Sequence, residues 1–279
     1  MYQEHKCFKS PDDDSVKIWN YMNYDKFVKL LENKAFFFVS PESFKGDNKE
    51  GCYTDDDFKA IHDLRDNCKD GDKEVGLTEF YNQDSDSETI SFLKYLRDNC
   101  KDEDPEIGLT QLILRMRSSR IKKEIFVKCF HMNEFESKYM WEEYTKNDIN
   151  SEFGVAIQSN FKRLKDCFNN SNSIVYFGEI TYNNEKSKIP LGNDYFPYLY
   201  KREKYSEDNE IRAIVSFEDT PKEEIKGMYV KISLDTFIEK IYVSPTSPDG
   251  FLDDVKSFVK KHRLTKEVVP SELSNKQLD

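Results

Sequence analysis

The sequence is poor in the residues that usually announce a chemistry. Its 279 positions hold six cysteines, four histidines and two tryptophans. The cysteines (Cys7, Cys52, Cys68, Cys100, Cys129 and Cys167) form no C-x-x-C pair and the histidines are equally dispersed, so neither a zinc ribbon nor a disulfide framework is indicated. Reduced thiols are expected. No apolar run approaches the roughly eighteen residues a membrane helix needs; Ala35 to Val39 is among the longest. The opening stretch, MYQEHKCFKSPDDD, has no apolar h-region. The expectation is a cytoplasmic protein without a membrane partner. No Walker loop, G-x-G-x-x-G, H-E-x-x-H or G-x-S-x-G occurs, which removes the phosphate-loop, zincin and hydrolase-elbow readings.

What the chain does have is rings and charge. With 16 Tyr, 21 Phe and 37% hydrophobic residues it belongs among globular chains despite 34% charge, and its core is expected to be rich in Phe and Tyr. A single α+β domain is expected over 15–264, with an acidic insertion at 52–112 and a flexible tail at 265–279. The net charge of -11 lies in one place: Asp47 to Glu106 carries nineteen Asp and Glu against eight Lys and Arg, while the remainder balances at thirty-four of each. That segment repels a phosphate backbone within about 10 Å at physiological salt, which excludes non-specific nucleic-acid binding through it.

Within it, LRDNCKDGDKEVGLTEF (Leu64 to Phe80) recurs as LRDNCKDEDPEIGLTQL (Leu96 to Leu112). A calcium-binding loop would need oxygen ligands at positions 1, 3 and 5, Gly at 6 and a bidentate Glu at 12. With Asp66 first, position 12 is Leu77; with Glu79 last, position 1 is Cys68, a poor ligand for a hard cation. In the second copy Pro105 enters the loop and Gln111 replaces the Glu. No metal site and no tightly bound cofactor is therefore expected. The better reading is a duplicated helical hairpin with Thr78 and Thr110 as N-caps, whose Asp70, Asp72, Asp102 and Asp104 suit a basic protein partner or mimic nucleic acid.

Along the rest of the chain, strands are predicted at SVKIWNYM, at AFFFVS as a buried strand, at EIFVKCFH, FGVAIQS and SIVYFGEITYN, and, with period-two patterning in places, at NEIRAIVSF, MYVKISL and IEKIYVSP. Helices are predicted at YDKFVKLLENK, MWEEYT and NFKRLKDCFNN, and at SPDGFLDDVKSFVKKHRL with Ser247 as N-cap and Pro248 in the first position. The outcome is an α+β fold with a mixed, largely antiparallel sheet and flanking helices.

Three polar-aromatic stretches are left as candidates for a site. Trp19 to Tyr21 is followed by a loop holding Asp47 and Glu50; Met140, Trp141 and Tyr144 form a second group; and Asp208, Glu210 and Arg212 alternate at the start of a strand, and so share a face. FVSPESFKGDNKE, CF followed by MWEEY and GVAI, the spaced K, Y, D, E and R from Lys201 to Arg212, and IYVSP before the last helix together resemble the bacterial family known as domain of unknown function 2971, from about Ile18 to Leu264. Three departures stand out. The family's F-N-D-P-F-E loop is here Phe44 to Glu50, one residue longer and without its proline. Its E-x-E-x-R begins with Asp208, which puts a role for that carboxylate in doubt, and its Trp is Tyr205.

The same outline is similar to ADP-ribosyltransferase-like enzymes, in which an aromatic first strand and a Glu-bearing late strand flank a nicotinamide dinucleotide. That similarity implies NAD or a related nucleotide as substrate, a transferase or glycohydrolase activity with a macromolecular acceptor, and a toxin-like or antiviral-defence setting. Glu210 would stabilise an oxocarbenium-like centre with Asp208 beside it, and Trp141 or Tyr21, with Trp19 and Tyr144 near, would stack on a ring. Arg212, or one of Arg115, Arg117 and Arg120, would clamp the pyrophosphate. Each has a plainer reading: Trp19 and Trp141 as core anchors, and Glu210 and Arg212 as a structural network with Lys201 or Asp47. Cys129 with His131 lacks a group to orient the imidazole for nucleophilic work.

Overall fold

Two asparagines each end a strand and start a helix. Asn23 and Asn160 have extended backbones, and their side chains accept from Lys26 N at 2.8 Å and Arg163 N at 2.9 Å. These are N-caps that satisfy an otherwise orphan backbone donor of the first turn. In the computed structural model, residues 1–6, 8–41, 51, 123–145, 153–183, 189, 195–216 and 225–275 are described. In chain order they form β1 (Lys17–Asn23), α1 (Tyr24–Asn33), β2 (Ala35–Val39), β3 (Ile125–Met132), α2 (Lys138–Thr145), β4 (Gly154–Asn160), α3 (Phe161–Asp166) and β5 (Tyr176–Glu179). Then follow β6 (Thr181–Asn183), β7 (Tyr200–Arg202), β8 (Glu210–Ser216), β9 (Gly227–Lys231), α4 (Leu234–Phe237), β10 (Lys240–Val243), α5 (Phe251–Lys261) and β11 (Glu267–Pro270). The acidic repeat lies outside the described residues.

The fold is α+β, with a mixed, mostly antiparallel sheet and flanking helices. Nine described strands form the main sheet, along the path β11-β10-β4-β1-β3-β2-β9, with β8 on β3 and β5 on β8. Only β10 and β11 run parallel within it. The sheet forks at β3. Strand β8 occupies one edge of β3 from Ile125 to His131, so β1 and β2 share the other edge. Strand β1 pairs there only at His131 and Met132, and β2 only at Val127, leaving the edge open between them.

Antiparallel partners point to the same side of a sheet, which sorts the residues by face. One face, with Phe36, Phe126, Phe130, Ile211 and Val230 among others, packs under the apolar sides of α1, α3, α4 and α5 and forms the main core. The opposite face carries two smaller clusters, one around Trp19, Tyr21 and Trp141, the other around Val127, Tyr198 and Ile214. The polar residues of interest lie between these two.

Several local expectations change. Helix α5 begins at Phe251 with Gly250, at φ 90°, in the cap position; Ser247 instead donates its hydroxyl to Ser244 O at 2.7 Å, so a turn replaces the predicted first helical residues. SIVYFGEITYN is divided into β5 and β6, because Ile180 N bonds to Glu210 O at 2.9 Å while β6 leaves to pair with β7. The stretch read as a tail holds β11, zipped onto β10 through Val268 and Val269, and Ser271 behind it is fully buried. At the other end, Gln3 N and Glu179 N bond Val175 O and Lys9 O, which ties residues before position 15 to the sheet.

Candidate functional site

The site is built around two neighbouring strands. His131 and Glu210 face one another across β3 and β8, and Cys129 faces Arg212. Glu210 is 4% exposed and Arg212 1%. A buried charge must be paired and hydrogen-bonded, and these are. Arg212 donates Nε to Glu210 Oε1 at 2.5 Å, Nη2 to Oε2 at 3.3 Å and Nη1 to the Tyr198 carbonyl at 2.8 Å. Lys201 reaches Glu210 Oε2 at 3.2 Å and Asp208 Oδ2 at 2.6 Å, and the Tyr139 hydroxyl donates to Asp208 Oδ1 at 3.0 Å. Burial raises the pKa of Glu210, but Arg212 and Lys201, with hydrogen bonds from Arg212 and the Cys129 thiol, outweigh it and hold the carboxyl at about 2. Glu210 is therefore ionised at every physiological pH.

Asp208 reaches this network by a different route from the one its spacing predicts. It ends the 3-10 segment Glu203–Asp208 and is not on the strand. Asn209 follows with φ 35°, a left-handed conformation Asn tolerates, and is tied to β3 on both sides: its side-chain amide donates to the Met132 carbonyl and its own carbonyl accepts from Met132 N at 2.8 Å. This reset places Glu210 in the register opposite His131.

His131 is 4% exposed and its Nδ1 lies 2.6 Å from the Asp208 carbonyl. A carbonyl only accepts, so Nδ1 carries the proton and Nε2 presents a lone pair. Burial depresses the imidazole pKa, partly opposed by the Asp208 hydrogen bond, and Nε2 has no hydrogen-bond partner. The result is a neutral imidazole with an unused acceptor beside an ionised carboxylate. The Cys129 thiol donates to Glu210.

A cleft of about 450 Å³ opens at the fork of the sheet, and His131, Glu210 and Asp208 line it. Of the aromatic candidates, Trp19, Tyr21 and Tyr144 border the cleft, whereas Trp141 and Arg212 do not. The indoles are anchored: Trp19 Nε1 donates to the Asn133 carbonyl at 2.8 Å and Trp141 Nε1 to Glu136 at 3.0 Å. Tyr21 stacks on Trp19 at 5.9 Å and meets Trp141 edge-on at 5.0 Å, and its hydroxyl accepts from Ser137 N at 2.9 Å. Tyr144 is 39% exposed; burial of its hydroxyl and the charges of Cys129, Glu210 and Asp208 push its pKa above the ordinary phenol value. Arg212 stands behind Glu210 as its counter-ion. Arg115, Arg117, Arg120, Asp47 and Glu50 lie outside the described residues.

The structure adds cleft residues that the sequence reading passed over. Phe37 and Tyr229, paired across β2 and β9 with ring centroids 5.0 Å apart, are 40% and 47% exposed. Lys26 and Lys29 approach from α1, and Lys128 from β3, its ammonium donating to Asn20 Oδ1 at 3.0 Å. Burial, with Lys26 adding to it against the opposing pull of Cys129 and Glu210, lowers the Lys128 pKa to about 8. The middle Phe of AFFFV, pointing opposite to two core neighbours, and a Lys inside IFVKCF were the available signals.

No family model, curated protein or solved structure matches the chain. Among the described residues there is no helix long and apolar enough to cross a membrane, and no group of three or more His, Cys, Asp or Glu arranged to hold a metal ion.

Proposed function

We propose that this protein processes NAD or a related nucleotide by breaking the nicotinamide–ribose bond, as a glycohydrolase or ADP-ribosyltransferase, in a toxin-like or antiviral-defence role. The observation that supports it is the pairing of an ionised Glu210 and the unused lone pair of His131 in one cleft bordered by aromatic rings. As the C1′–N1 bond breaks, its electron pair leaves with nicotinamide and positive charge develops on the ribose. A fixed carboxylate in a water-poor site stabilises that charge far more than water does. Glu210 is pre-organised for this by Arg212 and Lys201, and Asp208 serves by holding Lys201 and the His131 ring. A water or an acceptor hydroxyl then attacks C1′ and gives its proton to His131 Nε2.

The test is incubation of the purified protein with NAD, alone and with cell lysate as a source of acceptors, followed by chromatography. Hydrolysis gives nicotinamide and ADP-ribose in equal amounts; transfer gives nicotinamide and a modified acceptor. No nicotinamide under either condition would sink the proposal and turn attention to the acidic repeat and a basic partner.

A further inference from the structure

Half of the cleft plays no part in bond breaking. It is bordered by Lys26, Lys29, Lys128, Phe37 and Tyr229, and three features of it suit an anionic, ring-bearing ligand. Lys26 stands in the first turn of α1, where a cation opposes the helix dipole. Lys128 interrupts a strand whose neighbours Val127 and Phe130 are buried, and is held in place by Asn20, itself only 3% exposed. Phe37 and Tyr229 present exposed ring faces to the same cleft. None of the three lysines forms an ion pair among the described residues, so positive charge gathers at this end of the cleft.

The geometry points to a nucleotide phosphate subsite: Lys26, Lys29 and Lys128 hold the phosphates, and the Phe37–Tyr229 pair stacks against the base. This rests on the nucleotide reading given above and deepens it, because it orients the ligand, with its base at the β2–β9 side and its reactive ribose at His131 and Glu210. The cleft's volume falls within the range of about 300–1,000 Å³ typical of small-molecule sites. The four-residue step along β3 from Val127 to His131 spans roughly 13 Å, room for a base and its phosphates rather than a base alone. Lysines hold phosphate as point charges, and every base offers a π-face to an aromatic ring. Arg212, fully engaged by Glu210 and the Tyr198 carbonyl, leaves the phosphate role to these lysines.

The experiment is calorimetric titration with ADP, adenosine and inorganic pyrophosphate. Wild-type protein is expected to bind ADP at least tenfold more tightly than adenosine. Replacing Lys26 or Lys29, both exposed and therefore safe for folding, by Ala should weaken ADP about tenfold, the loss of one charge-assisted contact, and leave adenosine unchanged. Lys128→Met should do the same, and Phe37→Ala should weaken ADP and adenosine alike. Lys162→Ala, on α3 and paired with Asp166, is the control that changes nothing. Equal binding of ADP and adenosine, or lysine variants indistinguishable from wild type, would overturn the subsite. The two readings separate cleanly: lysine-dependent ADP binding without nicotinamide release keeps the subsite and removes the glycohydrolase, whereas nicotinamide release with an unchanged KM for NAD in the lysine variants does the opposite.

Discussion

Glu210 carries two duties that point in the same direction. Its carboxylate is fixed by Arg212 and Lys201, and the same contacts hold that cation buried, so its removal leaves Arg212 uncompensated. Breaking one side of a buried pair costs about 3–5 kcal/mol, so Glu210→Ala should lower the unfolding free energy by that amount in a urea titration. Glu210→Gln, which keeps an acceptor for Arg212, should cost less. The folded pKa of Glu210 lies near 2, below its ordinary 4.5, so the stabilisation it gives is complete above 4.5 and is lost as pH falls from there towards 2. Acid titration of wild type should show that loss, and Glu210→Gln should not. Lys128 gives the same slope with pH, but its charged form is destabilised by folding instead of stabilised. Its folded pKa of about 8 lies below the ordinary 10.5, so the unfolded chain binds the extra proton between these values and stability rises with pH across that window. Lys26 and Lys29 on α1, Cys129 next to it on β3 and Glu210 on the adjoining β8 are the charged and titratable groups around it. ADP affinity should therefore fall as pH passes 8 and should lose that dependence in Lys128→Met.

At the level of elements, the cleft exists because β2 and β1 diverge along one edge of β3, and the β2–β9 ladder holds the outer lip. Gly227 is essential to it: a Cβ there would lie 2.3 Å from the Phe38 carbonyl oxygen and 2.5 Å from the Phe37 ring. Gly227→Ala should destabilise the protein by about 1–3 kcal/mol, the usual cost of overpacking, and weaken ligand binding by displacing Phe37; a thermal melt and an ADP titration check the two effects. Much of this was legible beforehand. KIWNYMN and EIRAIVS read as strands and AFFFV as a short apolar run of strand length, YDKFVKLLEN repeats as a helix, and the spacing of Lys201, Glu210 and Arg212 announced a charged network. The fork was not legible, because a strand's own pattern records which face is buried but not where a neighbour leaves its edge. Phe37 was missed because AFFFVS reads as a buried strand, and an unbroken apolar run does not distinguish one face from the other. The start of α5 was misplaced because Ser-Pro fits an N-cap equally well as a preceding turn.

Across the whole molecule, the far edge of the sheet is closed by the segment that its sequence presents as a loose tail. Val268 is buried, the Ser271 hydroxyl donates to Glu136 Oε2 at 2.6 Å, and Glu272 N donates to Glu136 Oε1 at 2.7 Å. Glu136 also receives the Trp141 indole, so the chain end bolts down the aromatic cluster that forms one wall of the cleft. Ending the chain at Leu264 should therefore lower the melting temperature, expose β10 as an unpaired edge and promote aggregation, as size-exclusion chromatography would register. A cleft at a fork, walled by two clusters and backed by a continuous core, is an architecture in which the sheet fixes Glu210 and His131 and the helices fix the sheet. The role proposed for Glu210 is tested most directly by the rate of nicotinamide release at saturating NAD by wild type and Glu210→Gln side by side, each confirmed folded by its melting curve. The account predicts release by wild type and a fall of at least a hundredfold in the variant, the scale set by losing one transition-state electrostatic contact; equal rates from two folded proteins would contradict it.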